Sequence, residues 1–284
     1  MKRNSYAKIN LSLDVLNKSK PKDYHELDMI NLLVDLHDVV KIKIYPNRKD
    51  IVIKTNNDKV PTDSKNIVYK VITRFKEVTK KEFGIEVELI KNIPTEAGLG
   101  GGSSNAATVL SMLDKYFHIG MSNKQKVSFI ASLTADGPFF IANKTARVKG
   151  IGDKINLIDS KLKAKVMIVK PYQGCSTKEI YGSLDYPNLV HPNNNKIETA
   201  LLENNLDEIK KHACNSLQAS AIRINNQISD VLTRLKVCGF DVVLMSGSGS
   251  SCFGISNKKA PFERALQIFN KDNYELVGIY KIRK

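Results

Sequence analysis

The chain has 284 residues, 42% of them hydrophobic, with 44 Lys and Arg against 29 Asp and Glu and a formal net charge of +15. That length buries one large core or two modest ones, and no apolar run approaches the ~20 residues of a membrane-crossing helix. Cys175, Cys214, Cys238 and Cys252 form no C-x-x-C pair, which argues against zinc and for reduced thiols in a cytoplasmic protein.

In chain order, the N-terminus is basic but has no apolar stretch behind it, so no signal peptide is expected. Residues 9–15 alternate, with Ile9, Leu11, Leu13 and Val15 opposite Asn10, Ser12 and Asp14, the pattern of a half-buried strand. Further strands are expected over 26–35, 39–45, 51–55 and 85–90. Asp63 and Ser64 can cap a helix over 66–81 that buries Ile67, Val71, Ile72 and Phe75. After the glycine-rich run 98–102, helices are expected over 104–116 and 123–133, the latter capped by Ser122. The turn Ala135-Asp136-Gly137-Pro138 follows, then glycine punctuation at Gly150 and Gly152.

In the second half, 165–170 reads as a strand and 177–184 as a short helix, with a Pro- and Asn-rich loop over 186–196. Helices follow over 197–203, 206–222 and 228–237. Strands at 241–245 and 252–256 flank the glycine turn 247–249, and a helix over 261–269 and a strand over 274–281 end the pattern. Strands dominate the first ninety residues and helices the centre, which predicts an α+β fold. A division at residue 155 separates 1–155 from 156–284. The lysines are spread along the chain among many asparagines, so the basic excess reads as composition and not as a nucleic-acid footprint. The same charge would also attract a small substrate carrying several phosphates.

Gly98-Leu99-Gly100-Gly101-Gly102-Ser103-Ser104 places four glycines in five positions ahead of a helix. Without Cβ atoms the backbone can turn sharply and bring several N–H groups against one anion, and the helix N-terminus adds donors and partial positive charge. A side chain at Gly101 is therefore expected to block that approach. Ser103 and Ser104 can donate to phosphate or help hold Mg2+ bridging the phosphates of ATP. No lysine follows the glycines as a Walker A loop requires, and a dinucleotide-binding G-x-G-x-x-G fails at Ser103. Protein-kinase H-R-D and D-F-G signatures are absent.

The stretch that remains, Pro94-Thr95-Glu96-Ala97-Gly98-Leu99-Gly100-Gly101-Gly102-Ser103-Ser104-Asn105-Ala106-Ala107, resembles the ATP loop of the GHMP kinases. The likeness continues in Ala7-Lys8-Ile9-Asn10-Leu11, Asp23-Tyr24-His25-Glu26, Thr134-Ala135-Asp136-Gly137-Pro138, Ser176-Thr177-Lys178-Glu179-Ile180-Tyr181 and Met245-Ser246-Gly247-Ser248-Gly249. These segments are similar to the GHMP branch that uses ATP to phosphorylate the 2-hydroxyl of a cytidine diphosphate alcohol, 4-diphosphocytidyl-2-C-methyl-D-erythritol, in non-mevalonate isoprenoid synthesis.

The resemblance implies a two-domain fold of mixed and antiparallel sheets with helices packed on them and the active site in the cleft between domains. Asp136 would be the base, with Lys8 neutralising charge beside it. Pro94 to Ser104, with Asn66 and Lys91, would hold the nucleotide. Asn10, Tyr24, His25, Thr177, Tyr181, Gly247, Ser248 and Gly249 would hold the substrate, aromatic faces suiting a cytosine ring. The chain departs from the family pattern at Asp23, Gly137 and Gln218. Glycine at 137 is expected to add backbone freedom beside Asp136. The alternatives are a mevalonate- or homoserine-type member and a nucleic-acid-binding protein that has lost catalysis.

Overall fold

A computed structural model describes residues 1–19 and 24–283; Asp23 and the side chain of Tyr24 lie outside the described residues. The chain forms two compact units. The first holds Met1–Ala7, Leu36–Thr95 and Gly100–Asn143, and the second Lys8–Asp35, Glu96–Leu99 and Lys144–Lys284. Among the described residues no helix is long and apolar enough to cross a membrane.

Two long strands, β1 (Lys2–Ser19) and β2 (Tyr24–Tyr45), run through both units. The two strands expected over 26–35 and 39–45 are one. Nothing between them breaks the chain: Leu36-His37-Asp38 contains no glycine or proline, and the polar Asp38 is wholly buried but fully hydrogen-bonded. In β1 both faces are buried. The side opposite the apolar row carries Lys8, Asn10, Ser12 and Asp14, each at most 7% exposed. Alternation normally marks a strand with one wet face; here the polar face is dry because its groups bond to one another and to neighbouring segments.

In the first unit, β3 (Ile51–Thr55) runs parallel to β4 (Gly84–Ile90), and β4 pairs antiparallel with the end of β2, Val39 opposite Ile90. Helices α1 (Ile67–Thr79) and α2 (Gly101–Phe117) cover this sheet. Val68, Val71, Ile72 and Phe75 of α1 meet Val109, Leu110 and Leu113 of α2 over Val40, Ile42, Ile85 and Val87, a 3.6-residue stripe in which Val68 takes the buried place expected for Ile67, itself only partly buried. Helix α1 starts one residue later than expected, with Asn66 as its N-cap. Helix α2 starts three residues earlier than expected. Low glycine propensity hid the fact that Gly101 and Gly102 are its first turn. Helices α3 (Asn123–Ala131), entered through the capping box Ser122–Gln125, and α4 (Gly137–Ala142) complete the unit.

In the second unit the start of β2 pairs antiparallel with β5 (Ala146–Gly150), which pairs with β6 (Lys154–Leu157). This hairpin was not expected: Arg147, Lys149 and Lys154 mask its alternation, and Gly150 and Gly152, at φ 70° and 99°, form its turn. Arg147 then bonds both carboxylate oxygens of Asp28, at 2.8 and 2.6 Å, and Glu198 at 3.1 Å. β7 (Lys165–Lys170), β8 (Val242–Met245), β9 (Cys252–Ser256) and β10 (Leu276–Lys281) form an antiparallel sheet in the order β10-β7-β9-β8.

The remaining helices are α5 (Thr177–Gly182), α6 (Asn194–Glu203), α7 (Leu206–His212), α8 (Gln218–Ile224), α9 (Gln227–Val237) and α10 (Ala260–Ile268). The single helix expected over 206–222 is two. Between them Leu13 N–H donates to the Cys214 carbonyl and Ser216 N–H to the Leu13 carbonyl, at 3.0 and 2.9 Å. This tertiary pairing competes with local helix propensity and wins.

Candidate active site

In the glycine loop, Gly98 and Gly100 take φ of 69° and 70°, and Gly100 is the N-cap of α2. Such backbone favours glycine. Ala97 and Leu99 point inward, 3% and 1% exposed, while Gly102 is exposed. A Cβ on Gly102 would meet nothing nearer than Ile67 Cγ2 at 3.8 Å. A Cβ on Gly101 would instead lie 2.9 Å from Ile93 Cγ2 and 3.3 Å from Lys91 Nζ. A side chain at Gly101 would therefore press on the residues beneath the loop and not on its open side, where the glycine that opens outward is Gly102. The two serines differ likewise. Ser104 is buried and accepts from Ser5 Oγ at 2.7 Å, while the partly exposed Ser103 shares a hydrogen bond of 2.5 Å with Thr134 Oγ1.

That bond ties the first turn of α2 to the turn carrying Asp136. Asp136 is half-buried at the N-cap of α4 and makes no side-chain cap bond. Gly137 does not loosen this turn. It is buried, and a Cβ there would lie 2.5 Å from Ile130 Cγ1 and 2.8 Å from Thr134 Cγ2. Glycine at 137 lets α4 settle directly on α3 and the turn.

Lys8 and Asn10 share the buried polar face of β1, and Lys8 Nζ donates to Asn10 Oδ1 at 2.5 Å. The Asn10 amide donates in turn to Asn31 Oδ1 at 2.7 Å and approaches Met29 Sδ at 3.3 Å. Lys8 N–H holds the loop carbonyl of Leu99 at 3.0 Å, and Asn10 N–H donates to Ser246 Oγ at 3.2 Å. Asn10 thus orients Lys8 within a fully buried chain of polar groups.

The second glycine motif packs on the first, backbone against backbone. A Cβ on Gly98 would lie 1.9 Å from the Ser246 carbonyl oxygen, and Ser246 Oγ donates to the Gly98 carbonyl at 2.9 Å. Ser250 and Ser251 N–H groups reach the Glu96 and Ala97 carbonyls, both at 3.3 Å. Asn215 Nδ2 holds the Met245 and Gly247 carbonyls, and Gln218 Oε1 accepts from Met245 N–H at 2.9 Å. Gln218, an apparent departure, supplies an acceptor there. Thr177 and Ser248 share a hydrogen bond of 2.8 Å, which brings the short helix α5 to this motif.

His25 and Tyr181 are brought together, ring centroids 4.6 Å apart. Tyr186, read only as part of a loop, stacks on His25 at 6.2 Å, its hydroxyl 2.6 Å from His25 Nδ1. A lone aromatic five residues beyond Tyr181 in a Pro/Asn-rich stretch was its only sequence signal.

Asn66 and Lys91, expected at the nucleotide, are engaged elsewhere. Asn66 accepts from Val68 N–H at 2.8 Å and donates to the Pro61 carbonyl at 2.6 Å. The Lys91 ammonium is ion-paired with Asp38 and donates to Asn105 Oδ1 at 2.9 Å, its side chain 4% exposed. Asn66 thus caps α1, and Lys91 links Asp38 to Asn105. Among the described residues no group of three His, Cys, Asp or Glu could hold a metal ion.

Comparison with known proteins gives the family. GHMP kinases N terminal domain matches residues 66–143 and GHMP kinases C terminal matches 197–275. A 4-diphosphocytidyl-2-C-methyl-D-erythritol kinase of Clostridium botulinum (strain Alaska E43 / Type E3) is 37% identical over 280 residues, 98% of each chain. One of Caldicellulosiruptor bescii is 34% identical over 279 residues, 96% of each. The crystal structure of a 4-(cytidine 5'-diphospho)-2C-methyl-D-erythritol kinase superposes with a TM-score of 0.79 at 25% identity, covering 99% of both chains. A homoserine kinase from Cytophaga hutchinsonii, at 19% identity and a TM-score of 0.72 over 100% of this chain and 94% of its own, shares the fold. The chain is therefore an ATP-dependent kinase of α+β fold, and it belongs to the GHMP kinases, similar over nearly its whole length to the 4-diphosphocytidyl-2-C-methyl-D-erythritol kinases among them.

Proposed function

We propose that this kinase transfers the γ-phosphoryl group of ATP to the 2-hydroxyl of 4-diphosphocytidyl-2-C-methyl-D-erythritol. The observation that carries the reading is identity of 34–38% to kinases of that name over 88–98% of the chain. The His25–Tyr181 pair supports it, since two rings 4.6 Å apart offer an aromatic surface on which a pyrimidine can stack. The exposed backbone of Gly102 and the N-terminus of α2 would cradle the phosphates.

In the step itself a bond forms between the substrate oxygen and the γ-phosphorus while the β–γ bridging P–O bond breaks and ADP leaves. Asp136 takes the hydroxyl proton. The Lys8 ammonium, aimed by Asn10, offsets negative charge, and the remaining catalysis is positioning. Mg2+ would supply charge neutralisation on the phosphates when bound. It usually takes only one or two protein ligands beside phosphate and water, and the partly exposed hydroxyl of Ser103 suits that donor set. A cytoplasmic setting fits the four unpaired cysteines, and nucleic acid is not required as a partner.

The test is ADP release with a panel of acceptors. Turnover with the cytidyl alcohol, absent with mevalonate and homoserine, is expected. Turnover with either of those and none with the cytidyl alcohol would overturn the assignment. Salt-sensitive RNA binding with no ATP consumption would favour the nucleic-acid alternative.

A further inference from the structure

One carboxylate holds both ends of the glycine loop. Asp38, in the middle of β2 and 0% exposed, accepts on Oδ1 from Asn92 N–H at 2.7 Å and Ile93 N–H at 2.8 Å, where the chain leaves β4 for the loop. On Oδ2 it meets the Lys91 ammonium and accepts from Asn105 Nδ2 at 3.0 Å, where the loop has already become α2. Lys91 Nζ bridges the same two points through Asn105 Oδ1, and Asn105 Nδ2 also reaches Ser5 Oγ at 3.0 Å, which in turn donates to Ser104 Oγ.

A buried ion pair of this kind gives little net stability compared with apolar packing, so stability alone is a poor reason for placing it here. Its location gives a better one. It fixes the separation between the strand end and the first turn of α2, which carries the N–H groups expected to meet phosphate. Gly101 is part of the same arrangement, since a Cβ there would press on Lys91 Nζ and Ile93.

We propose that Asp38 is a positioning residue for the nucleotide: it staples the two ends of the phosphate loop, with Lys91 and Asn105 as the bridge, and touches no substrate. The inference rests on the glycine loop being the ATP cradle. It makes the geometry of the cradle depend on a side chain more than fifty positions upstream.

The experiment compares Asp38→Asn with the swap Asp38→Asn/Asn105→Asp. The single change turns one acceptor into a donor facing Lys91 and Asn105. The swap returns a carboxylate to the ammonium and a hydrogen bond between 38 and 105 in the reverse direction. KM for ATP and for the alcohol acceptor, ADP affinity by calorimetry and the melting temperature are read for each. Asp38→Asn is expected to raise KM for ATP and weaken ADP binding at least tenfold, with KM for the alcohol within twofold. The swap is expected to bring the ATP values back to within about threefold of the parent.

Ser5→Ala, which removes only the outer link, should fold normally and raise KM for ATP by two- to fourfold. Unchanged ADP affinity in Asp38→Asn, an equal rise in both KM values, or a swap that regains melting temperature without ADP affinity would each overturn the proposal. If Asp38→Asn and the swap both fail to fold, unchanged ATP binding in Ser5→Ala overturns it. A parent enzyme that binds no ADP would instead sink the loop reading itself.

Discussion

Two glycines four residues apart should fail in opposite ways when each becomes alanine. In Gly98→Ala the new Cβ would stand 1.9 Å from the Ser246 carbonyl oxygen and 3.3 Å from Gly249 N, at φ +69°. The left-handed backbone costs a non-glycine residue about 1–2 kcal/mol. The overlap involves backbone on both sides and cannot be relieved by turning a side chain. Relief needs a shift of more than ~1 Å, typically costing ~1–3 kcal/mol. A loss of about 2–5 kcal/mol follows. At ~2.1 cal/mol/K of unfolding entropy per residue over 284 residues, that is a fall in Tm of about 3–8 °C. In Gly102→Ala the Cβ meets only Ile67 Cγ2 at 3.8 Å, in a helical first turn with no positive φ. Alanine should there stabilise the helix by up to ~1 kcal/mol. The same methyl stands on the open side of the loop, so ADP affinity should fall about tenfold or more, a loss of ~1.4 kcal/mol. Thermal melts and calorimetric ADP titrations of both variants give the comparison. A Gly102→Ala protein that binds ADP like the parent would refute the assignment of phosphate to that side. A Gly98→Ala protein with unchanged Tm would refute the tight packing of the two glycine motifs.

Other substitutions probe the chemistry and the substrate end. Asp136→Asn should keep ADP affinity and lower kcat by about two orders of magnitude or more, the usual scale for a positioned proton acceptor; near-normal turnover would remove Asp136 from that role. Tyr186→Phe removes the hydroxyl 2.6 Å from His25 Nδ1 and should raise KM for the cytidyl alcohol about three- to tenfold, the scale of one net hydrogen bond, leaving KM for ATP alone. An equal change in both would place the effect elsewhere. Burial pushes the thiols of Cys175, Cys214, Cys238 and Cys252 up, Cys214 to about 11. Native protein at pH 8 should therefore react slowly with iodoacetamide and all four should react in guanidinium. A fast-labelling cysteine in the native state would contradict that packing.

Local pattern was enough wherever the physics is local. The alternation in 9–15, the apolar stripe of α1, the Ser122 capping box and the run of glycines before a helix each state their structure within a few residues. The kinase family was legible for a similar reason: a phosphate cradle is backbone chemistry, and a dense glycine string ahead of a helix is a local way to supply it. What the sequence could not show is which groups satisfy one another across long separations. Lys91 is expected at the nucleotide, and its partners Asp38 and Asn105 become visible only when β2, β4 and α2 are brought together. The buried polar face of β1 looked wet because alternation carries no information on what covers a face. The break between α7 and α8 depends on Leu13, some two hundred residues away.

Seven consecutive residues are enough to propose a phosphate cradle, because glycine-rich backbone ahead of a helix carries that capacity within itself. Which glycine faces outward, why 98, 101 and 137 have no room for a side chain, and that the Asp38 carboxylate reaches both Asn92–Ile93 and Asn105 follow from the folded chain. Those are matters of packing distance and of hydrogen-bond satisfaction in a dry interior, and neither is encoded in spacing along the chain.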